Sequence, residues 1–345
     1  MKKVLQSSQQ RRHRAARARA EEKWRRTGKS SPVRRRNRSG SRRKRTDYRP
    51  IPRRHRLAAP DHFSLIGNSK EVSAYLAKLR LAADEYRSVV IDLSSTMEIT
   101  IDALTALMAT ASDLANDFET EFQLIRPKDQ DAAFFLAASG FNDLVENAPK
   151  HEEPPRGLFW RRSGNRVEPA VARTIREFTE LAFSEFGDKP VTTAKLNAIY
   201  RTVIECMSNT HGHASRDGAI FADWWVSAYC DTPGRKVMYC FVDSGIGILK
   251  SANVSNYRKL AGYVGLDSSD KILRDVFDGQ IQSRTEQPGR GEGLPAMKND
   301  CVVDRLIDNL SVVTNNVRTV ISSAHYELLD VPFVGTLVYW ELCTE

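Results

Sequence analysis

VDSGIGI, Val242 to Ile248, and PGRGEGLP, Pro288 to Pro295, are two glycine-rich turns separated by residues 249–287, and their reading decides the fold. In the first, an apolar strand ends in Asp243 just before Gly245 and Gly247. Glycine takes up φ > 0 without a steric penalty, so the backbone there can approach a ligand closely. In the second, Gly289, Gly291 and Gly293 precede Pro295, whose fixed φ suits the first turn of a helix. The open N–H groups of a helix start attract phosphate oxygens. Upstream, in ECMSNTHGH, Glu205, Asn209 and His213 recur at i, i+4 and i+8, which places them along one face of a helix. An acid, an amide and two glycine loops in this order fit a site for ATP and Mg²⁺.

Each residue type has a chemical reason to be there. Asp243 at a strand end can accept a hydrogen bond from an adenine amino group. Asn209 offers an amide oxygen to Mg²⁺, which prefers hard oxygen ligands and bridges phosphates. Glu205 is suited to orient and deprotonate an attacking water or hydroxyl. Arg284 and Arg290 flank the expected γ-phosphate region, and His211 lies between the amide and His213.

The flanking segments predict a framework for these residues. Helices are expected over 166–187 and 192–211, the second burying Leu196, Ile199, Tyr200, Val203, Ile204 and Met207. ADWWVSAYC and RKVMYCFVDS read as two strands joined by the turn DTPG. A polar segment follows, with one helix around Asp270–Phe277, and then a helix over 296–308. NLSVVTNNVRTVISS and FVGTLVYWEL close the chain as strands, the first turning at Asn315–Asn316.

This ordered set resembles the GHKL (Bergerat-fold) ATPases, the superfamily of gyrase, heat-shock chaperones, histidine kinases and anti-sigma kinases. Glu205-x-x-x-Asn209 matches the family's N box, DSGIGI its first glycine box, GRGEGL its second, and Gly335-Thr336 its closing Gly-Thr. The resemblance covers residues 165–345 and implies an α/β sandwich: a mixed, mostly antiparallel sheet with helices on one face. ATP would lie under a lid over about 250–288. The nucleotide contacts it implies are Asn209, His213, Asp243, Gly245, Gly247, Ile248, Gly289, Arg290, Gly291, Gly293, Leu294 and Thr336, with Asn209 on Mg²⁺ and Glu205 catalytic. The spacing is nearest in style to the anti-sigma kinases, although Gly212 here precedes His213.

Before this domain, residues 58–150 alternate strand and helix. HFSLIG, SVVIDLSS and EFQLIRP read as strands. Helices are expected at SKEVSAYLAKLRLAADEY, ITIDALTALMATASDLANDF and DAAFFLAASGFNDLVE. This βαβαβα series predicts a small α/β domain. VVIDLSS–MEITIDALTALMA resembles the central strand, loop and helix of STAS domains, the fold of anti-sigma-factor antagonists. Where those antagonists carry an Asp-Ser pair, this chain has Thr100 and Ile101. Ile101 has no hydroxyl, so the domain reads as a degenerate docking module for a protein partner, with Thr100 the neighbouring hydroxyl and Ser94 and Ser95 turn residues. HEEPPRG, within residues 151–164, reads as a linker. His151 lacks the helical surroundings of a phosphoacceptor.

Charge divides the chain further. Residues 1–60 hold 23 of the 52 Lys/Arg and only 3 of the 43 acids, a net of +20, which leaves −11 on the remainder. Residues 1–57 have few large apolar groups and are expected to be a disordered basic arm. Such an arm suits non-specific nucleic-acid binding, with a log–log salt slope of roughly −0.9 per neutralised phosphate. An anionic membrane surface, an acidic partner, the acidic body itself or a role as a solubilising tail are the alternatives. No apolar run approaches the ~18 residues of a membrane span. Five scattered cysteines without a C-x-x-C pair read as reduced thiols of a cytoplasmic protein.

Function follows as three expectations. The first is a nucleotide-dependent switch with slow Mg-dependent ATP hydrolysis, coupled to partner or nucleic-acid binding and compatible with a homodimer. The second is a Ser/Thr protein kinase of the anti-sigma type acting on a separate protein. The third is a non-catalytic nucleic-acid adaptor with structural ATP.

Overall fold

The computed structural model of this chain describes residues 54–118, 120–139, 141, 158–163, 166–187, 190–213, 223–251, 268–281 and 292–344. The fold is mixed α/β, with one parallel and one antiparallel sheet as its main layers. In the N-terminal unit, β1 (Arg54–Ala58), β3 (Ser88–Asp92) and β5 (Glu121–Ile125) form a parallel sheet in that order. The short β2 (His62–Phe63) and β4 (Glu98–Ile99) pair with each other. Helices α1 (Ser69–Glu85), α2 (Ile101–Phe118) and α3 (Gln130–Ala138) connect them.

Strand β1 starts inside the segment read as the arm, and HFSLIG supplies only the two-residue β2 before turning. The reason is positional. β1 is a sheet edge, where alternating charges are tolerated, and its Arg56 pairs with Asp92 of β3 at 2.7 Å. The rest of the arm, residues 1–53, lies outside the described residues, as do 142–157, which include His151 and the end of the third expected helix.

The C-terminal unit is a five-stranded sheet in the order β6-β7-β8-β10-β9, and every neighbouring pair is antiparallel. Its strands are β6 (Leu158–Ser163), β7 (Trp224–Asp231), β8 (Lys236–Asp243), β9 (Asp308–Val320) and β10 (His325–Cys343). β6 occupies part of the stretch read as linker. DTPG closes the β7–β8 hairpin as expected, with the Gly234 N–H donating to Asp231. The expected turn at Asn315–Asn316 is absent: β9 runs through it, and the hairpin to β10 closes at 321–324. Helices α4 (Pro169–Glu185), α5 (Thr193–His213), α6 (Ile248–Ser251), α7 (Ser269–Phe277) and α8 (Gly293–Val302) complete the unit. α8 begins at Gly293 rather than 296, with Pro295 in its first turn.

Side chains alternate across this sheet. Val237, Tyr239 and Phe241 of β8 pack with Ile175 of α4 and with Ile199 and Val203 of α5. Cys240 and Val242, on the opposite face, join the core of the N-terminal unit together with Trp225, Leu337 and Tyr339. Helices do cover one face, but the other is covered too, by α1 and α2. Helix α2 therefore lies between two sheets, and every residue from Ile101 to Ser112 is buried. A helix apolar on all sides is what such a position requires. The polar exceptions are matched: the Thr105 and Ser227 hydroxyls pair across the junction at 2.6 Å, and Asp102 accepts from the Ile66 N–H at 2.8 Å. Ile101 is 2% exposed, and the Thr100 hydroxyl donates to the Phe63 carbonyl.

Among the described residues no helix is long and apolar enough to cross a membrane, and all five cysteines are free thiols. Because the core around α2 also contains Trp225, Cys240, Val242, Leu337 and Tyr339 of the antiparallel sheet, the two units are expected to unfold in one transition. Leu107→Ala, at a fully buried position of α2, should cost about 2–5 kcal/mol and move that whole transition in calorimetry. Two separable transitions would refute the shared core.

Candidate functional site

Helix α5 turns its buried stripe, including Val203, Cys206 and Met207, onto the sheet, which leaves Glu205 and Asn209 partly buried along the flank. Its placement is fixed by Arg201, whose Nε and Nη2 fork onto Asp300 of α8 at 3.2 and 2.5 Å. Asp300 is 4% exposed, so this pair ties two helices with a charge-assisted bidentate contact. As a result the start of α8 lies against Glu205: a Cβ added at Gly293 would stand 2.2 Å from Glu205 Oε2. Burial pushes the Glu205 carboxyl up, and the nearby Arg201 charge opposes the shift.

Asp243 ends β8 between Trp224 of β7 and Thr336 of β10, both its partners in register. Its Oδ1 accepts the Gly245 N–H at 2.7 Å. Burial raises its carboxyl to about 6, against the lowering effect of hydrogen bonds from Gly245 and Thr336. Gly335 sits at φ 96°, and a Cβ there would be 1.8 Å from the Asp243 carbonyl oxygen. The closing Gly-Thr is thus required by close approach of two backbones. The Cys206 thiol lies under both acids: burial pushes it up first, and the charges of Asp243 and Glu205 add to that.

The structure brings together Asp243, Gly245, Gly247, Gly335 and Thr336, and separately Glu205 with Gly293. Ile248 begins α6, and Leu294 follows Gly293 in α8; both are partly buried against the helix-side core. Asn209 lies one turn beyond Glu205 on α5. Gly289, Arg290, Gly291 and Arg284 fall outside the described residues, as does most of the segment expected as a lid, and the His213 side chain is likewise outside them.

These groups fit a magnesium nucleotide. The set comprises a buried acceptor acid at Asp243 and one hard amide oxygen at Asn209, while Gly247 and Gly335 admit close packing of the loop against Asn315 and of β10 against the Asp243 carbonyl. A cavity of about 690 Å³ elsewhere, lined among others by Ile66, Asp102, Phe135, Tyr229, Lys236 and Glu341, opens between the two units. It lies on the other face of the sheet, and none of the residues above line it.

The sequence reading missed the contributors from β9. Thr314 Oγ1 accepts the Ile248 N–H at 2.9 Å, and Asn315 holds the loop from below. Two asparagines in an otherwise apolar strand were the available signal, since Asn tolerates left-handed backbone; it was read as a turn. Arg201 and Asp300, 99 residues apart, left no local signal.

No protein-family model matches the chain, and no curated protein sequence matches it.

Gly335→Ala tests the packing at this junction. The substitution combines φ > 0 with a backbone overlap and is expected to destabilise by well over about 1 kcal/mol. Chemical denaturation measures it, and a loss of a few tenths would show that β8 and β10 can part freely.

Proposed function

We propose that this chain binds ATP with Mg²⁺ in a GHKL-type site and acts as a nucleotide-dependent switch with slow hydrolysis. The observation that carries the reading is the junction of Asp243, Gly245 and Thr336: a buried carboxylate at a strand end, with one oxygen fixed by a glycine-loop amide. In the proposed site Asp243 accepts from the adenine amino group, and Asn209 supplies an oxygen to Mg²⁺. ATP supplies a phosphoanhydride open to attack by water. Glu205, raised by burial, is suited to hold the proton taken from that water.

The N-terminal unit, which we read as a degenerate STAS-type module, is placed to sense the site through the shared sheet. Ser69 of α1 donates to Glu327 of β10 at 3.0 Å, and Lys70 reaches the same carboxylate at 3.5 Å. Changes at Thr336 therefore occur on a strand that the N-terminal unit grips directly. A protein partner would bind this unit, and the basic arm would add contacts to nucleic acid.

Calorimetric titration with Mg-ATP tests the reading. Asp243→Asn is expected to weaken binding at least about tenfold, a loss of ~1.4 kcal/mol; unchanged affinity would remove the adenine role. Asp243 must be ionised to accept on both oxygens, and its carboxyl in the folded chain titrates at about 6. Affinity should therefore be level above pH 7 and fall as pH drops through 6 in the wild type and in Glu205→Gln, but not in Asp243→Asn.

Hydrolysis separates the remaining roles. Glu205→Gln is expected to keep Mg-ATP affinity within a few-fold and to lower phosphate release by about 10²–10⁴. Binding without release even in the wild type would favour phosphotransfer to a partner or a structural nucleotide.

A further inference from the structure

Asn315 stands in the middle of β9 at φ 52°, where a register shift places it opposite Phe333 and leaves Thr314 opposite Thr336. It is 5% exposed. Its side-chain Oδ1 accepts the Leu249 N–H at 3.0 Å, and its Nδ2 donates to the Ile246 carbonyl at 2.9 Å. Thr314 Oγ1 accepts the neighbouring Ile248 N–H. Gly247 lies at φ 82°, and a Cβ there would meet Asn315 Oδ1 at 2.6 Å and Nδ2 at 2.7 Å. The loop is wrapped around this one amide group.

The residue type follows from these demands. A left-handed backbone favours Gly, Asn or Asp at the position. A donor and an acceptor on one short side chain then leave only Asn. The first two amides of α6, which a helix start leaves without intrahelical partners, are taken by Thr314 and Asn315. The first loop is thus held by protein.

We infer that Asn315 is a positioning residue that sets the first glycine loop for nucleotide binding, an inference that rests on the nucleotide reading above. The loop's conformation is imposed from β9, 66 residues away from the Leu249 amide, rather than by the loop sequence alone.

The test uses the full chain and two readouts. Asn315→Gly keeps the backbone conformation and removes the amide. Asn315→Asp keeps the acceptor for Leu249 and loses the donor to Ile246. In the nucleotide-free protein, amide hydrogen exchange at Leu249 is expected to speed up at least about tenfold in Asn315→Gly and to stay near wild type in Asn315→Asp. With Mg-ATP, calorimetric Kd is expected to rise about tenfold in Asn315→Gly and by less in Asn315→Asp. Wild-type exchange at Leu249 in Asn315→Gly overturns the brace, and wild-type Kd in that variant overturns its link to the site. If Asn315→Gly does not fold, Asn315→Asp decides, and wild-type affinity there overturns the inference. Failure of the wild-type chain to bind Mg-ATP would sink the nucleotide reading alone, since the exchange comparison needs no ligand.

Discussion

The register of β8 against β10 governs more of this molecule than any single side chain does. Asp243 faces Thr336, and the pairing continues without a slip to Lys236 facing Cys343. A shift by one residue would move every side chain of β10 to the opposite face. That would exchange Leu337 and Tyr339, which belong to the N-terminal core, with Val338, Trp340 and Leu342, which belong to the helix-side core. It would also take Gly335 away from the Asp243 carbonyl, where no side chain fits. Core packing on two faces and the geometry of the candidate site therefore select the same register. The site inherits its rigidity from the most buried strands of the fold.

The shared sheet also accounts for the character of α2. A helix covering a small parallel sheet normally turns a polar side to water, whereas α2 is buried for three turns because the antiparallel sheet closes over it. Its few polar groups must then be satisfied inside the protein, and Thr105 and Asp102 are satisfied from outside their own helix.

Much of this was legible because local signals agreed with tertiary demands. The β7–β8 hairpin had apolar strands around DTPG, α5 had a clean apolar stripe, and the ring of Asp243, Gly245 and Thr336 was announced by glycines that a close approach demands. The failures share a cause as well. RHRLA, residues 54–58, looks like the end of a basic arm, and only the Arg56–Asp92 contact and an edge position make it a strand. Asn315–Asn316 carries turn chemistry, yet Val317 to Val320 continue the ladder with β10, so long-range pairing overrides the local signal. Coverage of the sheet's second face was implicit in the near-continuous apolar run of KVMYCFV, because a strand buried on one face only would alternate. Which element covers it is a tertiary fact that periodicity does not carry.

Three carboxylates, two buried and one partly buried, show how one physical effect is turned to different ends. Desolvation is the largest influence on Asp102, Asp243 and Glu205, and it raises all three. Asp102 spends its acceptors on the Ile66 amide and neighbouring groups inside the N-terminal core, so it anchors a loop. Asp243 is held by an amide and a hydroxyl at a strand end, which fixes the direction of its acceptors and suits recognition of a donor of defined geometry. Among the described residues Glu205 has no comparable clamp, and the charge of Arg201 opposes its shift. That guanidinium is itself forked onto Asp300, and its charge still lowers the Glu205 carboxyl against the effect of burial. A guanidinium turned onto Glu205 instead would hold that carboxyl down and make it a poor proton acceptor. The Arg201–Asp300 pair thus does two things at once: it places α8 against α5, and it directs the guanidinium's donors onto Asp300 rather than onto Glu205.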